Sequence, residues 1–349
     1  MKTKIITIDE NNINEELMMQ AGDILRQGGL VAFPTETVYG LGGDGLNENS
    51  SAKIYEAKGR PSDNPLIVHI ADMEALPGIV KEIPEEAYLL AEKYWPGPLT
   101  MIFYKSDAVP YATTGGLDTV AVRMPSHKTA RALIRAAGGY VAAPSANRSG
   151  RPSPTVAKYV IEDLDGRVDM IIDGGEVNIG LESTIIDLTD GQPVILRPGY
   201  ITEEMLKSVV GQVDVDKTLL DANAKEAPKA PGMKYRHYAP KGSLTVVEGA
   251  EGAVTDYINR QIAVAQSEGK KTGVIATDET KGGYVGDVIK SVGSRNDEEA
   301  IARQLFRILR EFDDSDVQVM FAESFDSPGI GQAIMNRLLK AAGHHVIRV

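Results

Sequence analysis

At 349 residues the chain is long enough for two domains with separate cores, and its 42% hydrophobic and 25% charged residues exclude wholesale disorder. Lys and Arg total 37 against 49 Asp and Glu, a net charge of -12, so an anionic ligand must be held by a local cluster of cations, and extended binding to a nucleic-acid backbone is not expected. The absence of cysteine excludes disulfides, thiolate nucleophiles and Cys-ligated zinc, while the lack of any apolar run near the roughly 18 residues of a bilayer span, with only three isoleucines before Asp9, leads to the expectation of a cytoplasmic protein without membrane attachment.

In chain order, helical spacing at Glu15 to Gln27 is followed by a β-rich run at Leu30 to Phe33, then by helical spacing at Ser50 to Ala57 and a run at Leu66 to Ile70. The alternation continues with a helix at Glu85 to Tyr94, strands at Leu99 to Tyr104 and Thr119 to Met124, and a helix at Lys128 to Ala137. Strands at Tyr140 to Ala143, Met170 to Asp173, Thr184 to Leu188 and Val194 to Arg197 precede a last helix at Thr202 to Val209. Residues 1–213 are thus expected to form one α/β domain. Residues 214–242 are rich in Pro, Ala and Lys and sustain neither period, which predicts a linker. Beyond it, strands at Leu244 to Glu248, Gly273 to Thr277, Val288 to Val292 and Val317 to Ala322 alternate with helices at Ala253 to Gln266, Asn296 to Phe312 and Ile330 to Ala342. This βα repetition over 243–349 predicts a smaller parallel sheet flanked by helices.

Gly40, Gly42 and Gly45 fit the GxGxxG pattern of dinucleotide folds, but Pro34 to Tyr39 separate them from the preceding strand, and Asn47 to Asn49 resemble the true helix cap. In Lys58-Gly-Arg60-Pro-Ser-Asp-Asn64-Pro two cations leave a helix end together. The helix dipole accounts for one of them; Pro61 and Pro65, which stiffen the loop, favour a phosphate site for both. Arg123 stands in the apolar run Thr119-Val-Ala-Val-Arg123-Met, where a cation either faces solvent at a sheet edge or meets a buried anion. Ala142 to Gly150 clusters small and hydroxyl residues, which capping of a loop or close approach of a ligand both explain. His69 and His237 lie too far apart in sequence to argue for a metal pair, so no metal is expected from protein side chains.

Four motifs in order, PTETVYGLG at Pro34 to Gly42, KGRPSDNPLIVHI at Lys58 to Ile70, PSANRSGRPSPT at Pro144 to Thr155 and ESTIID at Glu182 to Asp187, resemble those of the YrdC-type L-threonylcarbamoyladenylate synthases. The run PGMKYRHYAP at Pro231 to Pro240, with a further domain after it, resembles the long form of that family. The resemblance implies a YrdC-like twisted mixed sheet followed by a Rossmann-like parallel α/β domain, and a reaction of L-threonine, bicarbonate and ATP with Mg2+ carried by the ATP. The product would pass to a tRNA-modifying threonylcarbamoyl transferase. By the same resemblance Lys58 and Arg60 would be the catalytic cations; Thr35 or Thr37, His69, Arg123, Ala143 and Ser183 would surround threonine. Lys58, Arg60, Asn64, Thr119, Ser145, Asn147, Ser153, Arg197, His237 and Tyr238 would contact ATP, with the linker closing as a lid. Two other readings, an RNA-binding module and a carbamoyl-adenylate enzyme of hydrogenase maturation, are disfavoured by the acidic charge and the lack of cysteine respectively.

Overall fold

The structure, a computed structural model, describes residues 2–216, 238–325 and 328–349. The described residues form two compact units. The first holds those up to 216 apart from Gly150–Pro152 and Ile179–Leu181, which group with the later residues in the second.

The first unit is built on strands β1 (Lys4–Thr7), β2 (Val31–Phe33), β3 (Gly40–Asp44), β4 (Ile67–His69), β5 (Leu99–Tyr104), β6 (Thr119–Arg123), β7 (Val141–Ala142), β8 (Met170–Asp173), β9 (Thr184–Asp187), β10 (Val194–Arg197) and β11 (Asp214–Val215). Their spatial order in one sheet is β1-β8-β2-β3-β7-β4-β6-β5-β9-β10-β11. Antiparallel pairs β2/β3, β3/β7, β7/β4, β6/β5 and β9/β10 alternate with parallel ones, so the expected mixed sheet is present. Helices α1 (Glu15–Arg26) and α5 (Lys128–Ala136) cover one face of its first half, packing Met18, Leu25, Leu133 and Ile134 on Val31, Phe33 and Ile172. Helices α2 (Glu48–Lys58) and α6 (Ala157–Leu164) cover the other with Ile54, Val160 and Leu164 on Ala32, Leu41 and Ile171; α3 (Glu85–Tyr94), α4 (Tyr111–Thr114) and α7 (Glu203–Val210) are the remaining described α-helices of this unit. The period of two in β2 therefore serves two cores at once, because both faces of the sheet are covered.

Local chemistry sets the boundaries that matter for the site. Asn47 caps α2 by accepting from the N–H groups of Asn49 and Ser50, and Gly59 at φ 62° ends the helix one residue after Lys58, so Arg60 leaves on a new course. The GxGxxG glycines are part of a strand and its turn, not of a phosphate loop. A Cβ at Gly42 would lie 2.9 Å from Val141 Cγ1 and one at Gly40 would lie 3.2 Å from Phe33, so β3 is glycine-rich because its neighbours leave no room for side chains. The sequence pattern did not predict this strand, nor β1, β11 and α6.

The second unit contains β12 (Ser243–Glu248), α8 (Glu251–Ser267), β13 (Thr272–Ala276), β14 (Val288–Ser291), α9 (Glu298–Asp314), β15 (Val319–Glu323), α10 (Ile330–Ala341) and β16 (Val346–Arg348). Every pairing in the order β14-β13-β15-β12-β16 is parallel, as the βα repetition predicts. Of the predicted linker, Asp214 and Val215 form β11, while residues 217–237, with His237 and most of the proposed lid, lie outside the described residues. Tyr238, at φ 64°, is buried against Phe306 with ring centroids 4.9 Å apart.

Candidate active site

Register carries the site across the middle of the first sheet. Val141, His69, Arg123, Thr100 and Ile185 are lateral neighbours on β7, β4, β6, β5 and β9, and Arg197 on β10 pairs with Ile185, so these side chains share one row. β6 lies between β4 and β5, which removes edge exposure as the explanation of Arg123: the side chain is 4% exposed. Its anion is Glu36, itself 5% exposed and 2.8 Å from Nη2. Nη1 donates to Thr37 Oγ1 at 2.9 Å and Nε to the Gly97 carbonyl at 3.4 Å. The hydroxyl of Thr35 donates to the Val38 carbonyl, so in the Thr35–Thr37 contact at 2.9 Å Thr37 is the donor. A directed chain thus runs from Arg123 through Thr37 and Thr35 into backbone, and fixes how the guanidinium points.

Charge at this end is set by burial and by Arg123. Burial alone would raise the Glu36 carboxyl, but the Arg123 guanidinium outweighs it and holds the group below the ordinary carboxylate range. His69 is driven down to about 3 by burial and then by Arg123, and its Nδ1–H donates to the Ile67 carbonyl at 3.1 Å, so the ring is neutral at physiological pH. His127, in front of α5, is lowered mainly by burial against the pull of Glu10, 3.7 Å away, and of Glu36. Ser183 shares a 2.7 Å hydroxyl contact with Thr100, and Arg197 holds it through Nη2 to Oγ at 3.1 Å and Nε to its carbonyl at 3.0 Å. Ala143 is buried where β7 ends, its N–H donating to Ile67.

The predicted phosphate cations lie at the start of the same strands. Thr119, Ala121 and Arg123 alternate onto one face of β6, so Thr119 is about 13 Å from Arg123 along the strand, with Ile67 opposite Ala121 between them. Ile67, Ala121, Ile102, Ile185 and Leu196 pack as an apolar floor. Arg60 donates from Nη2 to the carbonyls of Asn64 and Pro65 at 3.3 and 3.1 Å. Lys58 is buried, and its ammonium donates to the backbone carbonyls of Ser145 and Asn147, while Ser145 Oγ donates to Asn147 Oδ1. The two cation-bearing and hydroxyl-bearing motifs are therefore one assembly, joined by Lys58. Ser153 donates to Glu182 at 2.6 Å.

Sequence reasoning passed over Glu36, Thr100 and Glu182. The signal for Glu36 was available: a buried cation at Arg123 requires an anion, and Glu36 stands beside the threonines of Pro34-Thr35-Glu36-Thr37.

Comparison with known proteins gives three convergent findings. A family model for Sua5, YciO and YrdC proteins, described as telomere recombination, matches residues 23–199, and a second, described as the C-terminal domain of threonylcarbamoyl-AMP synthase, matches residues 201–343. The threonylcarbamoyl-AMP synthase of Pyrococcus abyssi is 50% identical over 99% of this chain and 100% of its own length; that of Bacillus subtilis is 50% identical over 100% of both. The crystal structure of P. abyssi Sua5 complexed with L-threonine matches at 50% identity with a TM-score of 0.94, over 99% of this chain and 100% of that one.

Proposed function

Because the chain belongs to the threonylcarbamoyl-AMP synthase family in its two-domain form, we propose that the sheet face carrying Ile67 and Ala121 seats L-threonine at Arg123 and ATP at the Arg60 end. The observation that carries this is that one pair of parallel strands bears His69 with Arg123 at one end, and Thr119 with the Arg60–Asn64 turn at the other.

At the first end the Arg123 fork takes the threonine carboxylate in a charge-assisted contact. Neutral His69, the hydroxyls of Thr35, Thr37 and Ser183, and the small Ala143 shape the remainder. At the second end Arg60, Asn64, Thr119, Ser145 and Ser153 contact the nucleotide. Lys58 holds the Ser145–Asn147 turn in place by its grip on the two carbonyls. The amine of threonine joins bicarbonate, and the carbamate oxygen attacks the α-phosphorus as pyrophosphate leaves. The protein's contribution is to align the three reactants and to keep water from the carbamate. No protein nucleophile takes part in this sequence.

Mg2+ enters as its complex with the triphosphate, where it supplies screening of phosphate charge. Among the described residues no group of three or more His, Cys, Asp or Glu is placed to hold a metal ion. No helix among the described residues is long and apolar enough to cross a membrane. In this reading the reaction takes place in the cytoplasm and the product passes to a tRNA-modifying enzyme.

Pyrophosphate release from ATP and bicarbonate tests the reading. Release is expected with L-threonine and to be strongly reduced with L-serine. Release at one rate with either amino acid, or with none, would refute it.

A further inference from the structure

We propose that Glu36 accepts the ammonium group of the amino-acid substrate and takes its proton, leaving the neutral amine that attacks bicarbonate. The inference rests on Arg123 anchoring the substrate carboxylate, as described above.

An α-amino acid carries its ammonium one carbon from its carboxylate, so a substrate seated on the Arg123 fork brings the ammonium to whatever side chains flank that fork. These are Thr37, Glu36 and, on the neighbouring strands, His69 and Thr100, whose hydroxyl is engaged with Ser183. Thr37 passes its proton to Thr35 and accepts from Arg123, and His69 directs its Nδ1–H into backbone, so the polar atoms that fix these two are already engaged. Glu36 differs. Although its carboxylate is almost fully buried and 2.8 Å from Arg123, with the backbone N–H groups of Glu36 and Ser126 also turned toward it, neither of its oxygens, nor Arg123 Nη2, makes a hydrogen bond of full geometry. Buried polar atoms are rarely left in this state, and where they are, a functional partner is a leading explanation.

The same geometry explains how a carboxylate paired to arginine can act as a base. Burial opposes its charge and Arg123 offsets that opposition. When a second carboxylate shares the guanidinium, part of the offset is withdrawn and the proton affinity of Glu36 rises. The other ionisable groups facing it are His69 on β4, and His127 in front of α5 with Glu10 beyond it. In the transfer, an N–H bond of the ammonium breaks and its electron pair stays on nitrogen, while a carboxylate oxygen of Glu36 gains the proton. The nitrogen then bonds to the bicarbonate carbon as water leaves, giving the carbamate with no proton unaccounted for.

The test compares wild type with Glu36→Gln, which keeps shape and removes basicity. At pH 7 the variant should lose about 100-fold or more in kcat for threonine-dependent pyrophosphate release, with less than a tenfold change in threonine Kd. Its kcat should climb about tenfold per pH unit until the free amine of the amino acid forms unaided, while wild type varies little. A folded Glu36→Gln enzyme with wild-type kcat, or one reduced by the same factor at every pH, overturns the proposal and leaves the assigned reaction standing. Wild type without threonine-dependent release overturns both. Should the variant not fold, threonine binding to wild type in two buffers of different ionisation heat reads the same point. No net proton should reach solvent at pH 7, and release of one proton per threonine would overturn the assignment.

Discussion

Each unit of the molecule contains a buried glutamate paired with an arginine, and the two pairs are built differently. Glu323 at the end of β15 is 2% exposed and receives hydrogen bonds from Thr280 Oγ1, from Tyr284 OH at 2.8 Å and from Arg295, whose Nη1 also donates to the Ser324 carbonyl at 3.0 Å. Glu36 is as deeply buried and has its cation at 2.8 Å, yet neither oxygen makes a well-formed hydrogen bond. Burial and pairing are common to both, so neither marks a reactive site. What separates them is satisfaction: a fully bonded carboxylate ties a fold together, whereas one whose contacts fall short of full hydrogen-bond geometry retains acceptor capacity, which the proposal above assigns to a substrate.

The sharpest way to break this contrast is to remove the arginine from the unsatisfied pair. Arg123→Ala deletes the proposed carboxylate anchor and leaves Glu36 buried without its counter-charge, so kcat/KM for threonine should fall about 1,000-fold or more, about 4 kcal/mol of transition-state stabilisation. Steady-state pyrophosphate release reads this directly, and a variant within tenfold of wild type would erase the distinction between the pairs. The matching change in the other unit, Glu323→Ala, strips an acceptor from Thr280 and Tyr284 while Arg295, 38% exposed, can rehydrate. A loss of about 2–3 kcal/mol in stability is expected by urea unfolding, with threonine kcat/KM unchanged under folding conditions. A kinetic effect without loss of stability would show that Glu323 is more than structural.

The contrast also shows what was legible beforehand. The parallel sheet of the second unit follows from βα repetition, because each strand and its helix are local events. Arg123 was conspicuous as a cation in an apolar strand, but whether it faced solvent or an anion depended on β6 lying between β4 and β5, a pairing made far along the chain. Glu36 was less conspicuous still. It follows Pro34 in a connection where glutamate is ordinary, and its burial is conferred by Arg123 and by the β7 to β5 region around it. The glycines of β3 misdirect for the opposite reason. They occur where Val141 and Phe33 crowd the backbone, and missing side chains leave no period to read.

The smallest effect concerns the neutral ring beside the unsatisfied pair. His69 titrates near 3 in the folded protein against about 6.5 unfolded, because burial and Arg123 both penalise its charge. The unfolded chain therefore binds a proton that the folded one refuses. Stability is unaffected above about pH 7 and is lost as pH falls below 6.5 toward 3. Between pH 7 and 5 this amounts to about 2 kcal/mol. His127 is lowered in the same direction and adds to it, whereas Glu36, lowered from an ordinary carboxylate value, loses its contribution chiefly below that window. Trp95, the sole tryptophan of the chain, is buried in the first unit, so urea unfolding followed by its fluorescence reports on this unit. His69→Gln should recover about 2 kcal/mol of the difference between pH 7 and pH 5. A wild-type difference that persists in full in the variant would mean that the ring beside Arg123 accepts a proton at ordinary pH, and that the surroundings of Arg123 carry one more positive charge than the geometry assigns to them.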